Sequence, residues 1–264
     1  MVKSAFLLCL IIVCSLFAGC AQNPVTGDRQ LMLLSYDQEQ QLGDEYAPEV
    51  EKQLGGPIAD ARIQAYVDSV GQKVARASLT PDRQFRYIAV NSDAVNAVAL
   101  PGGHIFITRG MLEAMQTEAQ LAAVLAHETV HVAARHSANA MSRQIGIDIL
   151  LSAISNRTSE TTGAVAQLAA DLVSLKYSRD DEYEADAYGA DYLAKAGYDP
   201  QGMVQLMEIL QAQDSARPIE FFSTHPNPGN RLEKIRGRIA AAGYKADTAT
   251  TGRTEYKSAV LDRL

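Results

Sequence analysis

The chain has no tryptophan, and its three cysteines, Cys9, Cys14 and Cys20, all fall within the first 20 of 264 residues. The body is therefore free of cysteine, which excludes a disulfide framework. Aromatic residues make up 6% and there is no periodic aromatic stripe of the kind that stacks on sugars. Basic residues are outnumbered, with 24 Lys and Arg against 31 Asp and Glu and a net charge of -7. That balance excludes a broad nucleic-acid surface and a polybasic attachment to anionic lipid. No internal repeat is present. At 47% hydrophobic and 21% charged the composition is that of a folded globular chain, long enough for one large domain.

The one long apolar run is at the start. Lys3 precedes the stretch from Ala5 to Gly19, which is short for a bilayer span and reads as a secretion signal over residues 1–19. It ends in Leu16-Phe17-Ala18-Gly19-Cys20, similar to a bacterial lipobox with Leu one place early. Cys20 is thus the expected lipidation site. An ordinary signal peptide with an incidental cysteine, or an uncleaved anchor, is the competing reading. Two or three acyl chains would satisfy the requirement for stable anchoring. Ala21 after the cysteine resembles the outer-membrane sorting pattern, so the expected location is the periplasmic face of the outer membrane.

Residues 20–34 read as an extended tether with a turn, residues 35–243 as the folded domain and residues 244–264 as a polar C-terminal tail. Ser35 is a candidate N-cap for a Glu- and Gln-rich helix, and Ile63, Tyr66, Val67, Val70 and Val74 recur at helical spacing. The period then shortens. Three short strands are expected at 85–90, 96–100 and 104–108, with Pro101-Gly102-Gly103 turning between the last two. Beyond residue 109 the segments 117–137, 139–155, 163–176, 179–196, 201–212 and 228–242 read as helices. The expected class is α+β and mainly helical, with a small antiparallel sheet beside one chemically distinctive helix.

That helix carries His127-Glu128-Thr129-Val130-His131. Imidazoles four residues apart project from one helical face and converge on one cation. Zinc suits two neutral imidazoles and a carboxylate with one position left for water, and Glu128 stands where a general base is needed. The same residues on a surface helix would be salt-bridging ornaments, but here the flanks are apolar from Leu121 to Ala126 and from Val132 to Ala134. Burying His and Glu in such a helix is costly without partners. His136 lies roughly 140° off the ligand face if the helix continues, so it is expected behind the ligands rather than among them. Glu182, Asp186 and Gly189 are spaced i, i+4, i+7. Glu182 is the candidate third ligand, Asp186 the acceptor for a ligand imidazole, and Gly189 the point of close helix approach. Glu184 is expected to point to solvent.

In combination these residues resemble the gluzincin metallopeptidases of the CAAX prenyl protease and HtpX group, and within it the soluble BepA-like lipoprotein branch. The resemblance extends through Arg135-His136, Glu182-Tyr183-Glu184-Ala185-Asp186, Ala196-Gly197-Tyr198-Asp199-Pro200 and Ser223-Thr224-His225-Pro226 to Arg231, covering about residues 23–240. It implies a zincin-like core, one zinc ion held by His127, His131 and Glu182, and Glu128 as catalytic base. It further implies that His225 faces the site, either to stabilise an oxyanion or to occupy the open metal position at rest. Arg231 is expected as an ion-pair partner. The implied substrates are proteins or peptides, unfolded or misassembled ones in the envelope. Gly102, Gly103 and His104 are the expected substrate-binding positions, with the strand at 104–108 offering an edge. A lipid-anchored chaperone with a structural zinc, and a zinc hydrolase of cell-wall peptides, are the alternatives.

Overall fold

A computed structural model describes residues 20–144, 164–227, 229–244 and 250–264. The expected signal segment 1–19, and the part of the expected 139–155 helix beyond residue 144, lie outside the described residues.

Strands β1 (Cys20–Gln22) and β2 (Arg29–Leu31) pair antiparallel as a hairpin. The expected tether is thus an ordered element laid on the body. Helices α1 (Tyr36–Gln53) and α2 (Ala61–Ala77) follow. Ser35 accepts from the Gln38 backbone while Gln38 returns a bond to Ser35, closing a capping box that starts α1. Helix α2 buries Ile63, Val67, Val70 and Val74 on the face that their spacing dictates.

Strands β3 (Arg86–Val90), β4 (Ala97–Ala99) and β5 (His104–Thr108) form one sheet in the order β3-β5-β4. The tight Pro101–Gly103 turn makes β4 and β5 antiparallel, whereas β3 runs parallel to β5 on its other side. The sheet is therefore mixed, not antiparallel throughout. Alternation in a sequence gives strands but not their lateral order, and the order decides this point. It also corrects the expected substrate edge. Strand β5 is central and wholly buried, with both edges paired. The outer edge of β4 is the one beside the chemistry.

The other elements among the described residues are helical: α3 (Arg109–Ala114), α4 (Glu118–Ala133), a helical stretch at 136–144, α5 (Ala164–Val173), α6 (Arg179–Lys195), α7 (Gln201–Ala216), α8 (Phe221–Thr224), α9 (Arg231–Ala242) and α10 (Arg253–Tyr256). Helix α4 runs through the middle, buried from Ala119 to Ala133, with α2, α6 and α7 around it. Its apolar circumference, rather than an amphipathic stripe, follows from that position. Thr117 caps it by accepting from the Gln120 N–H.

The expected C-terminal tail docks on the body, and residues 253–261 within it are helical. Its 251 and 252 carbonyls accept from the N–H groups of Ala119 and Glu118, satisfying donors that the first turn of α4 leaves open. Tyr256 and Val260 are fully buried, and the Tyr256 hydroxyl donates to the Leu112 carbonyl. One buried tyrosine and one valine, a single turn apart, were too short a period to reveal this docking in advance.

Candidate metal centre

Helix α4 presents His127, Glu128 and His131, each at most 2% exposed. Helix α6 crosses it closely because Gly189 has no side chain; a Cβ there would sit 3.4 Å from the His127 nitrogen and 2.8 Å from Met203 Cε. Ser178 and Asp181 form a capping box at its start, fixing the turn that carries Glu182. The i, i+4, i+7 face is the one turned inward, and Glu182, Asp186 and Gly189 are all buried.

The side chains converge. His127 Nε2 lies 3.1 Å from His131 Nε2 and 3.4 Å from Glu182 Oε2, and His131 Nε2 is 3.5 Å from Glu182 Oε1. His225 joins them from the end of α8, its Nδ1 3.3 Å from His127 Nε2 and 3.0 Å from Glu182 Oε1. Its ring stacks on Phe221, with centroids 4.4 Å apart. Donors about 2.0–2.1 Å from a tetrahedral zinc stand roughly 3.3–3.4 Å from each other. The observed separations bracket that value, and two imidazoles with a carboxylate are zinc's preferred chemistry. These four groups can hold a metal ion within one ligand sphere.

Orphaned atoms point the same way. Both Glu128 oxygens and Glu182 Oε2 are buried without a hydrogen-bond partner. Arg231 Nη1 does lie 2.7 Å from Glu182 Oε2, but off the hydrogen-bond direction, so that contact is ionic and leaves the oxygen's lone pairs unused. Buried polar groups left this way require an explanation, and a cation supplies one.

Around this shell, Asp186 Oδ1 stands 3.1 Å from His127 Nδ1, the position expected for an orienting acceptor. Arg231 donates to both Asp186 oxygens at 2.7 Å and is itself fully buried. Burial raises the Glu128 carboxyl above its ordinary range. Burial likewise acts on Glu182 and Asp186, yet it is outweighed: His225 and Arg231 hold Glu182 well below its usual value, and Arg231 lowers Asp186. Burial alone pulls His127 down, but its contacts with Asp186 and Glu182 reverse this and push it up to about 9 in the metal-free protein. Burial keeps His131 well below 6.5, the neutral form that a metal requires.

Helix α4 does not continue to His136. It ends at Ala133, and Arg135 takes a left-handed conformation with φ 64°. A non-glycine residue there is strained. It is held by the buried Glu39, whose Oε1 accepts from Arg135 Nε at 2.6 Å, and by the Leu34 carbonyl. The reversal swings His136 back so that its Nδ1 is 2.9 Å from His131 Nδ1. His136 thus stands against His131, by a kink the sequence did not reveal. Glu184 is not solvated as expected: it lies 3.5 Å from His136 Nε2 and accepts from Asn23. Tyr177, unforeseen, stacks on His131 with centroids 3.8 Å apart. Its place immediately before the Ser178 cap was the available signal.

Of the expected substrate-binding positions, Gly102 lines a cavity of about 540 Å³ with Glu39, Gln84 and Val132. Cβ atoms at Gly102 and Gly103 would strike the Glu39 carbonyl at 2.7 Å and the Gln84 carbonyl at 2.1 Å, so these glycines admit neighbouring parts of the chain itself. His104 is buried against Arg86 and Asp44. Ala97, Val98 and Ala99 of β4 border a cavity of only about 10 Å³ with Leu175, Tyr177 and His225.

The chain is 34% identical over 240 residues to the beta-barrel assembly-enhancing protease of Escherichia coli K12, covering 84% of this chain and 48% of that protein. It is 30% identical over 233 residues to the mitochondrial metalloendopeptidase OMA1 of Schizosaccharomyces pombe, covering 86% and 68%. It is 36% identical over 155 residues to the metalloprotease YcaL of Escherichia coli K12, covering 56% and 59%. The chain thus spans about half the length of the assembly-enhancing proteases it matches. Residues 61–239, the stretch that runs from α2 through all four converging side chains, match Peptidase family M48, and the chain belongs to that family of metallopeptidases.

Proposed function

We propose that this metallopeptidase is a zinc endopeptidase with one ion per chain, held by His127, His131 and Glu182, and that His225 occupies the fourth position at rest. The observation that carries the reading is the 3.0–3.5 Å spacing of the four donor atoms around one point. Zinc bound there would polarise a peptide carbonyl and lower the pKa of a water to about 7. Glu128, with both oxygens unpartnered and its affinity for protons raised by burial, is placed to act as the base that would accept a proton from a water held there. The same carboxyl would return that proton to the leaving amine. Asp186 holds His127 in the tautomer that offers Nε2, and Arg231 keeps Asp186 charged.

A substrate strand adds to the outer edge of β4, where main-chain hydrogen bonds orient it with little sequence preference. That edge is closed at rest. Tyr177 and Ser137 hydroxyls both contact the Ala99 carbonyl, and His225 fills the end of the cavity. Opening requires the 173–177 segment and His225 to move together. Unfolded or misassembled envelope proteins, which present extended segments, are the substrate class this favours over folded ones. Lipidation at Cys20 would hold the enzyme at the membrane; among the described residues no helix is long and apolar enough to cross one.

Glu128→Gln tests the reading against a structural zinc in a chaperone. It is expected to retain one zinc and lose casein hydrolysis, whereas unaltered hydrolysis excludes Glu128 as the base. His225→Ala is expected to keep zinc and change the rate; an unchanged rate removes His225 from the site.

A further inference from the structure

The N-terminal hairpin reaches the candidate metal centre through a line of polar side chains, hydrogen-bonded at each step except the 3.5 Å one from His136 Nε2 to Glu184 Oε2. His131 offers Nε2 to the ligand cluster, so a neutral ring bound there carries its proton on Nδ1. The group 2.9 Å from that nitrogen is His136 Nδ1, which must then accept. His136 consequently carries its own proton on Nε2. That atom is buried and without a hydrogen-bond partner, and the nearest acceptors are Glu184 Oε2 at 3.5 Å and Asp181 Oδ1 at 3.7 Å.

Glu184 is in turn gripped from the hairpin. Asn23 Nδ2 donates to Oε1 at 2.8 Å and to Oε2 at 3.1 Å. Asn23 is 5% exposed and cannot swing away. Its Oδ1 accepts from the N–H groups of Val25 and Thr26, and its own N–H donates to the Asp28 carbonyl, closing the turn between β1 and β2. The hairpin is pinned to the end of α4 independently, by Gln30 donating to the Ala134 carbonyl and Asn139 donating to the Leu31 carbonyl.

We propose that the hairpin is a positioning element of the metal centre, with Asn23 and Glu184 acting through His136 to fix the tautomer and orientation of His131. Glu184 is the acceptor nearest to the unpartnered His136 Nε2, and the direction of every proton in the line follows from metal binding at His131 Nε2. The inference rests on His131 being a ligand. It gives the segment just after Cys20 a role besides attachment, because the residue that starts the line is three positions from that cysteine.

The test is zinc affinity by chelator competition on the full chain, with kcat and KM measured alongside. Asn23→Ala and Glu184→Ala are each expected to weaken zinc binding by about tenfold, the effect usual for groups that support a ligand imidazole. Glu184→Gln keeps a carbonyl acceptor for His136 Nε2–H and is expected to recover most of the affinity. Gln30→Ala loosens the hairpin away from this line and is expected to stay within about twofold of wild type. The imidazole ¹⁵N shifts of His131 are expected to report the Nδ1–H form in wild type and a mixture in Glu184→Ala. Unchanged affinity in both alanine variants, or equal weakening by Gln30→Ala, would overturn the proposal. If His131→Ala binds zinc as wild type does, the ligand reading itself has failed; if His131→Ala loses zinc while the Asn23 and Glu184 variants do not, the relay alone has.

Discussion

Arg231 is a fully buried cation whose removal should be felt most in the metal-free protein. It touches Asp186 through two bonds of 2.7 Å and Glu182 through a third contact of 2.7 Å. Each such charge pair is worth roughly 6 kcal/mol of Coulomb attraction at an effective dielectric near 20. The cost of stripping water from three ions offsets most of that sum. Replacing Arg231 with Met keeps the volume but leaves two carboxylates, both nearly inaccessible to water, without their fixed cation. Breaking a buried pair from one side costs about 3–5 kcal/mol. At about 2–4 °C per kcal/mol for a chain near this size, the melting temperature of the chelator-treated protein should fall by roughly 6–20 °C. Zinc at Glu182 would satisfy one of the two carboxylates, so the loss with zinc present should be clearly smaller. Circular dichroism melts with chelator and with excess zinc measure both. A chelator-state shift under about 2 °C, or a larger loss with zinc than without, would show that Arg231 does not neutralise this cluster.

Other consequences are as specific. The metal-free protein should be most stable between about pH 5 and 7: stability from Asp186 and Glu182, whose folded values are depressed, is complete above the unfolded carboxylate range of about 4 and is lost as pH falls through their folded values. Stability from His127 is complete below about 6.5 and is lost as pH rises through about 9, so chelated protein should melt lower at pH 9.5 than at 6.5 and zinc should abolish that alkaline arm; chelator-state melts that do not change from pH 6.5 to 9.5 would contradict it. Gly189→Val should cost about 1–3 kcal/mol and weaken zinc binding, since the added atoms meet Met203 and the His127 backbone and push α6 off α4; wild-type zinc affinity in a folded variant would refute that. Tyr256→Ala should destabilise by about 3–5 kcal/mol, seen as a lowered denaturant midpoint, because a fully buried ring leaves a cavity at the start of α4.

Much of the site was legible because helical spacing is rigid. His127 and His131, and Glu182, Asp186 and Gly189, needed only a period of 3.6 to be placed on two faces, and those faces meet. Three strands were legible from alternation, within a residue or two. Their order was not, because β3 and β4 flank β5 through a loop whose path no local pattern encodes. The expectation that β5 offers a free edge failed for that reason, since β5 is paired on both sides. His136 was placed correctly behind His131 but on the assumption of an unbroken helix; the left-handed Arg135 depends on a distant partner, Glu39, and has no local signature. Glu184 was misread for the same reason. Its helix face points away from the ligands, yet the hairpin returns to cover it, and Asn23 is 161 positions away.

The measurement closest to the central claim is metal content with X-ray absorption at the zinc edge, for wild type and for Glu182→Gln. The account predicts one zinc per wild-type chain in a four-coordinate shell of imidazole and carboxylate donors, and a severalfold weaker, altered shell when Glu182 is changed. Absence of stoichiometric zinc in the wild type, or an identical shell and affinity in Glu182→Gln, would contradict it.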